Sequence, residues 1–299
     1  MRSLPIRSTN MRRWPVLKTS EIKQVEWFDD RYYKVNVSET DVPVYEYFSS
    51  ATTKLNVVAK PWLARWKGDV GNREADLRMF EAGERGTRIH HAWYTLTTGG
   101  VVIFNPWQRP NYNQKEIEEM TDKAMGNLAV MQYQDEMWDV LKLKNWVDAV
   151  KPKIVGSELT VCSKICKDAG TLDNLMEIEE GDYEVNGAKA IHIPKGLYVV
   201  DLKTGSLDED AFMQLACYAN CVNEMKLSEQ LVSGTIILHT GSAVKKGIEG
   251  LSTVYHDQSE LDKDFQDFRH AAALWERKNA NAKPKIFEFP SLLVLGGNK

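Results

Sequence analysis

Two charged residues near the end of an apolar segment are the first candidates for chemistry in this sequence. Asp201 and Lys203 stand two positions apart in GLYVVDLKTG, residues 196–205. In a β-strand, both side chains project from one face, and the apolar Val200 and Leu202 project from the other. Asp-x-Lys alone is a weak signal, because a surface ion pair gives the same pattern.

Two acidic residues upstream add carboxylates to this candidate site. Asp173 follows Gly170-Thr-Leu and is predicted to begin a neighbouring strand after a glycine turn, and Glu158 lies in a further predicted strand. Three acidic side chains can therefore meet along one sheet edge. Like charges this close are unfavourable unless a cation neutralises them or some of them take up protons. Mg²⁺ or Mn²⁺ is the natural occupant, since both are hard ions that prefer oxygen ligands.

Polar side chains on two predicted helices can reach the same place. Gln214 and Tyr218 lie one turn apart and share a helix face. Their helix is predicted over 207–226, and Ser206 and Glu209 have the spacing of a capping box at its start.

A histidine on an earlier predicted helix, over 74–94, is a further candidate ligand. His90 follows Gly86 at a spacing of four and could supply one imidazole. A single helical histidine is more often structural than a ligand, so the spacing by itself decides nothing.

The elements that must position these groups alternate along the chain in a way typical of an α/β or α+β domain. A β-hairpin is predicted within 25–47, a short helix from Ser49–Thr53, and another helix from Lys60-Pro61. Further strands are predicted at 154–162, 172–179, 189–193, 197–203, 234–240, 251–256 and 286–295, and further helices at 115–150 and 258–279. Asn186-Gly187 is predicted to form a tight hairpin turn. The chain is thus divided into a basic N-terminal segment, 1–24, and a single domain, 25–299, with a helical insertion around 110–150.

Composition and charge exclude several classes of protein. The chain has 299 residues, of which 43% are hydrophobic and 27% charged, as in ordinary folded proteins. The net charge of −4 gives no support for nucleic-acid binding from bulk charge. No apolar stretch approaches the roughly 18 residues of a membrane span, and the N-terminus lacks the apolar region of a secretory signal. A cytoplasmic protein with no membrane partner is expected. Phosphate-loop, GxGxxG, GxSxG and HExxH signatures do not occur.

Four cysteines form two spaced pairs, Cys162 with Cys166 and Cys217 with Cys221. Neither pair has the CxxC spacing of common zinc sites. We expect four reduced, structural cysteines and no iron–sulfur cluster.

The ordered set of motifs resembles the RecB-like branch of the PD-(D/E)XK nuclease superfamily, closest to its bacteriophage and CRISPR-associated exonucleases. The motifs are Gly86-x-x-x-His90, Glu158, Gly170-Thr-Leu-Asp173, Asp201-x-Lys203-Thr-Gly205 and Gln214-x-x-x-Tyr218. The resemblance covers about residues 45 to 225. It implies an α/β, restriction-endonuclease-like core, in which helices flank a mixed central sheet, with an N-terminal helical elaboration.

The resemblance also implies roles for individual residues. The implied ligands of one or two Mg²⁺ or Mn²⁺ ions are His90, Asp173, Asp201, the backbone carbonyl of Leu202, and Glu158. Lys203 would contact the scissile phosphate or the attacking water. The implied DNA-binding or supporting residues are Thr204, Gln214 and Tyr218. The family often has a glutamate four residues after the histidine, where this chain has Tyr94, so His90 is the least secure ligand and His91 is an alternative.

The function implied by this resemblance is metal-dependent hydrolysis of DNA. An exonuclease of phage-type recombination or DNA processing is expected, acting on single strands or free ends in the cytoplasm of a bacterial host. A recombination or single-strand-binding protein is a candidate partner, and the oligomeric state is left open. Two alternatives are a catalytically silent nucleic-acid-binding or recombination partner with the same fold, and a structure-specific or RNA-directed endonuclease using the same site.

Overall fold

Most of the strands predicted from the sequence are present in the structure. The computed structural model describes residues 19–27, 30–38, 40, 42–105, 119, 127–185, 190–241, 251–282 and 284. Its strands are β1 (Lys23–Trp27), β2 (Asp30–Asn36), β3 (Tyr45–Ser50), β4 (Val101–Phe104), β5 (Leu128–Met131), β6 (Lys153–Ser163), β7 (Asp168–Ile178), β8 (Gly181–Tyr183), β9 (Ile191–Ile193), β10 (Gly196–Lys203), β11 (Val232–His239) and β12 (Ser252–His256). The predicted N-terminal hairpin is confirmed, because β2 and β3 pair antiparallel.

The helices follow the predicted order. They are α1 (Ala51–Leu55), α2 (Pro61–Val70), α3 (Asn72–Thr97), α4 (Gln134–Val150), α5 (Asp210–Met225) and α6 (Gln258–Lys278). Ser50 caps α1 by accepting a hydrogen bond from the Thr53 amide, and Pro61 occupies the first turn of α2. Both features agree with the predicted helix starts.

The central sheet has eight strands of mixed direction. Its order is β1-β2-β3-β7-β10-β11-β12, with β6 paired to β7. The β10–β11 pair is parallel, whereas β7 runs antiparallel to both β6 and β10. Small two-stranded sheets, β4–β5 and β8–β9, lie outside it. The predicted α/β class with a mixed, helix-flanked sheet is confirmed.

Two apolar cores lie on opposite faces of this sheet. Leu197 and Val199 of β10 belong to a core shared with α1, α5 and α6. Val200 and Leu202 belong to the other core, shared with α3 and α4. Alternation along β10 therefore buries both faces, as expected for a central strand.

Several predicted details are wrong or fall outside the described residues. Leu128–Met131 is a strand parallel to β4, so the predicted helical insertion is not helical there; its described helical residues are Glu119 and Gln134–Val150. The segment 1–18, the turn at 186–187 and the strand at 286–295 lie outside the described residues. The boundary expected at residue 24 falls inside β1.

The predicted start of α5 is also wrong. The helix begins at Asp210, Glu209 occupies the N-cap position, and no side chain caps it. Ser206 is therefore not the cap. The Asp208 carbonyl instead accepts a hydrogen bond from the Ala211 amide.

Candidate metal centre

Asp201 and Lys203 share a face of β10, as predicted from their spacing. Asp201 Oδ2 lies 2.6 Å from Lys203 Nζ. Val200, which precedes Asp201, and Leu202, which separates Asp201 from Lys203, are buried in the core on the other face. Alternation in a strand thus separates the charged pair from the apolar pair.

Asp173 comes from the neighbouring strand β7 and meets β10 just beyond the last paired residues. The antiparallel register of the two strands ends at Val200 opposite Asn174. Asp173 Oδ2 then accepts a hydrogen bond from the Leu202 amide at 2.7 Å. The N–H and C=O of one strand residue point to the same side, so the Leu202 carbonyl also faces the edge where Asp173 lies. This is the carbonyl that the resemblance implies as a ligand.

Glu158 lies opposite Asp173 on β6. The flanking pairs are Ser157 with Asn174 and Leu159 with Leu172, which fixes this register. Glu158 has a positive φ of 50°, in the left-handed region that only a few per cent of non-glycine residues adopt. The irregular backbone turns an acidic side chain towards a second carboxylate, and such strain is concentrated at functional sites.

His90 completes the cluster from helix α3. Its Nδ1 lies 3.4 Å from Asp173 Oδ2. Within the described residues, one ligand atom from each of His90, Glu158 and Asp173 falls within 4.8 Å of the other two. Three elements far apart in sequence therefore converge on one point.

The position of α3 above the strands depends on close packing and ion pairs. A Cβ on Gly86 would lie 3.1 Å from Thr204 Oγ1, so the small residue lets the helix approach the end of β10. Arg88 donates hydrogen bonds to Glu136 of α4 from Nε and from Nη2, with Nη2 2.6 Å from Oε1. Arg85 pairs with the buried Asp139 of the same helix. These contacts fix the helix that carries His90.

Two carboxyl groups of the cluster have pKa values above their usual range. Partial burial and the charges of Asp173 and Asp201 raise the pKa of Glu158 to about 7. Burial and the charge of Asp173 raise the pKa of Asp201 to about 6, although Lys203 opposes the shift. Like charges held together without a cation are expected to behave in this way.

The other three charged groups of the cluster are shifted by their partners. Burial opposes ionisation of Asp173, but His90, Lys203 and the Leu202 amide hold its pKa below the usual value. Burial also disfavours protonated His90, yet the carboxylates of Asp173 and Asp201 raise its pKa. Lys203 is half-buried, which disfavours its charged form, but the same two carboxylates raise its pKa. The centre thus contains three carboxylates and only one lysine.

The donor set fits a hard divalent cation. It offers carboxylate oxygens, one imidazole and a backbone carbonyl, which are ligands that Mn²⁺ accepts and, apart from the imidazole, those that Mg²⁺ prefers. Asp201 Oδ2 is buried beside the Lys203 ammonium, 2.6 Å away. Asp201, Asp173 and Glu158 together leave negative charge that this one ammonium does not balance and that a divalent ion would neutralise.

A cavity of about 230 Å³ adjoins the cluster. Lys203 lines it, so this residue stands between the carboxylates and the open space. Lys60, at the start of α2, also lines it and is held 2.9 Å from both Asp208 and Asp210, which line it too. The remaining lining residues are Thr52, Leu55, Asn56, Ser206, Ala211 and Gln214.

Gln214 and Tyr218 are joined as their spacing predicts, but they occupy different surroundings. Gln214 Nε2 donates to the Tyr218 hydroxyl at 2.8 Å, and Gln214 also lines the cavity. Tyr218 is buried, and burial raises its pKa well above the usual value. A Cβ on Gly170 would lie 2.1 Å from Tyr218 Cε1. Gly170 therefore does not form the predicted turn; it lies inside β7 and makes room for the tyrosine ring.

Three predicted or alternative residues lie outside the cluster. Thr204 packs under Gly86 rather than lining the cavity. His91 is exposed and does not belong to the group formed by His90. Tyr94, at the position where the family often has glutamate, is 37% exposed.

The cysteines do not approach this centre as ligands. Cys162, Cys217 and Cys221 are buried, and Cys166 is half-buried. Burial raises the pKa of Cys162 to about 12. Burial likewise raises the pKa of Cys217 and Cys221, so these three buried thiols remain protonated and act as small apolar side chains.

Sequence reasoning missed the residues that form the wall of the cavity. Lys60 was recognised only as the residue before a helix, and its partner Asp208 lies 148 positions away. A charge in a loop gives no signal of such a partner. The Asp-x-Asp spacing of Asp208 and Asp210 directly after the lysine motif was the one available indication.

Comparison with known proteins adds no assignment. No protein-family model matches this sequence, and no curated protein matches it. In the described part of the chain, no helix has both the length and the apolar character needed to cross a membrane. The geometry of the site therefore carries the functional argument.

Proposed function

We propose that this chain is a divalent-metal-dependent deoxyribonuclease with a PD-(D/E)XK core of the RecB-like type. The observation that carries the proposal is the convergence of His90, Glu158 and Asp173, with ligand atoms within 4.8 Å, beside the Asp201–Lys203 pair. The motifs were read from the sequence as an ordered set, and the fold brings their charged members together. Carboxylates held this close repel each other unless a cation or protons neutralise them, which supports a metal-binding role.

The chemistry follows from the charge of the substrate. A phosphodiester is an anion that repels hydroxide, and a bound divalent ion supplies positive charge and a water of lowered pKa. Asp173, Asp201, Glu158 and His90 are the groups that would hold it. Lys203 lines the cavity, where its ammonium can stabilise charge that develops on the phosphate oxygens.

The cavity provides the approach for a DNA strand. Gln214 and Lys60 line it together with Lys203, so amide and ammonium donors face the same space, beside the Asp208 and Asp210 carboxylates that pair with Lys60. Phosphate oxygens accept hydrogen bonds from such donors. We propose an exonuclease that acts on single strands or free ends in phage-type recombination or processing, within a bacterial cytoplasm and with a recombination or single-strand-binding protein as partner. The preference for free ends rests on the family resemblance.

The decisive experiment is a cleavage time course with the purified full chain. Linear duplex, linear single-stranded and circular single-stranded DNA, each labelled, are incubated with Mg²⁺, with Mn²⁺ and with EDTA. We expect loss of label from linear DNA only when a divalent ion is present. Lys203→Ala is expected to reduce the rate by about a hundredfold or more while the circular dichroism spectrum is retained.

The outcomes separate the proposal from its alternatives. DNA binding without cleavage by the wild-type chain under any metal condition indicates a catalytically silent partner. Cleavage of the circular substrate indicates an endonuclease. Cleavage at the wild-type rate by Lys203→Ala refutes the role given to the lysine.

A further inference from the structure

A largely buried chain of side-chain hydrogen bonds lies next to the candidate metal centre. Trp93 Nε1 donates to Asn174 Oδ1, and Asn174 Nδ2 donates to Ser157 Oγ at 2.8 Å. The Ser157 hydroxyl donates to Thr97 Oγ1 at 2.9 Å. The Thr97 hydroxyl in turn donates to the backbone carbonyl of Tyr94 at 3.1 Å. Each donor therefore has an acceptor in one continuous direction.

The members of this chain are neighbours of the three converging ligands. Asn174 directly follows Asp173 on β7, and Ser157 directly precedes Glu158 on β6. On α3, His90, Trp93 and Thr97 stand at positions i, i+3 and i+7, which share one helix face. The chain leaves α3 at one residue of that face, crosses both strands and returns to the same helix.

We propose that Asn174 and Ser157 are positioning residues that set the spacing of the candidate metal ligands. This inference rests on the proposed metal centre. Asn174 joins α3 to β6, so the amide fixes the distance between the element that carries His90 and the one that carries Glu158. The hydrogen bonds of Asn174 also fix the position of the residue that directly follows Asp173. None of the four side chains lines the cavity or supplies a ligand atom of the cluster.

Because it is largely buried, this chain of hydrogen bonds selects one packing arrangement of α3 over the strands. Asn174 and Trp93 are 0% and 2% exposed, and Thr97 is 8% exposed. In such surroundings a polar group without a partner is unfavourable, so alternative rotations of α3 over the strands are penalised. Apolar packing alone tolerates small shifts, whereas this chain selects one arrangement. Metal sites depend on support of this kind, because ligands must be held in position before the ion binds.

The test is Mn²⁺ binding to full-length variants, measured by calorimetric titration. Asn174→Leu removes the central amide with little change in volume, and Ser157→Ala removes one hydroxyl. Ser163→Ala is the matched control, because Ser163 is a buried serine at the far end of the same strand, bound to Glu224 and the Cys166 amide. Thr97→Val and Thr97→Ser form a second pair that differs in the hydroxyl.

We expect Asn174→Leu and Ser157→Ala to weaken Mn²⁺ binding about tenfold or more. Ser163→Ala and Thr97→Ser should bind like the wild type, and Thr97→Val should be weakened. If Asn174→Leu does not fold, Ser157→Ala against Ser163→Ala decides the question. Unchanged affinity in Ser157→Ala, or an equal loss in Ser163→Ala, overturns the positioning role alone. Absence of Mn²⁺ binding by the wild type overturns the metal centre and this inference together.

Discussion

Asp168 and Asp173 lie on the same strand, β7, but the charges around Asp168 are balanced, whereas carboxylates are in excess around Asp173. Asp168 is fully buried, with Oδ1 2.5 Å from Lys54 Nζ and Oδ2 2.8 Å from Arg269 Nη1. Lys54 also lies 2.7 Å from Glu276 Oε1. Two carboxylates therefore face two cations, and this network joins α1, β7 and α6.

The region around Asp173 is not balanced in this way. Asp173, Asp201 and Glu158 face one lysine, Lys203, and a histidine. A buried ion pair persists when each charge has its counterpart, whereas an excess of carboxylates requires protons or a cation. The comparison therefore separates a structural ion-pair network from a candidate metal centre on a single strand.

The largest difference between the regions is expected in catalysis. Asp201→Asn removes a candidate ligand and should slow DNA cleavage by about a thousandfold, the size of losing one preorganised electrostatic group. Asp168→Asn should leave the initial rate within about tenfold of wild type at temperatures where it is folded. Equal losses of rate in the two variants would contradict the distinction.

Stability should respond in the opposite sense. Asp168→Asn leaves Lys54 and Arg269 without their shared carboxylate and should lower the free energy of unfolding by about 3 kcal/mol. Urea unfolding measures this loss. In metal-free buffer, Asp201→Asn should destabilise the chain less than Asp168→Asn does, because Asp168 pairs with two cations, Lys54 and Arg269, whereas Asp201 pairs with Lys203 alone among the described residues. The reverse order would contradict the assignment.

Gly170 lies between the two aspartates and tests whether α5 must pack closely on this strand. Gly170→Ala places a Cβ about 2.1 Å from Tyr218 Cε1. We expect a loss of about 1–3 kcal/mol in unfolding free energy, as for other overpacked positions. Gly83→Ala in α3, where nothing lies within 4 Å, is the control and should be neutral or slightly stabilising. Equal stability of both variants would show that the tyrosine ring can move aside.

The smallest expected effect is the pH dependence at Glu158. Its pKa rises from 4.5 to about 7, so the ionised form is disfavoured in the folded chain. This penalty is complete above pH 7 and absent below about pH 4.5. Glu158→Gln should therefore raise Tm by about 2 °C at pH 8 in EDTA and leave it unchanged at pH 4.5.

Addition of Mn²⁺ at pH 8 sharpens this prediction. The ion should stabilise the wild type more than Glu158→Gln, because only the wild type retains the carboxylate ligand. Thermal scans with and without Mn²⁺ measure the difference. An identical Mn²⁺-induced shift in both proteins would remove Glu158 from the centre.

The parts of the fold that were predicted are those that local pattern determines. Alternation predicted the strand that ends at Lys203, and the Lys60-Pro61 step predicted α2. The capping box at Ser206 failed because the residues that follow it bind Lys60, a partner that the local sequence does not reveal. The turn predicted at Gly170 is wrong because glycine occurs both in turns and where another side chain approaches the backbone closely.

The residue types of the candidate site and the meeting of its carboxylates at one sheet edge were predicted, but the details of its arrangement were not. The residue types and their order indicated carboxylates, a histidine and a lysine, since chemistry restricts which residues can serve. The left-handed backbone at Glu158 and the chain through Asn174 depend on packing between distant elements. No local pattern encodes such contacts, because the partners lie on strands and a helix that are far apart in sequence.

The most direct test of the account is a calorimetric titration of Mn²⁺ into the metal-free full-length protein at pH 8. The wild type and Asp168→Asn should bind one or two ions per chain with similar affinity, and Asp173→Asn should bind at least about tenfold more weakly. Binding that is unaffected by Asp173→Asn, or no binding by the wild type, would contradict the claim that the unbalanced carboxylates form a metal centre.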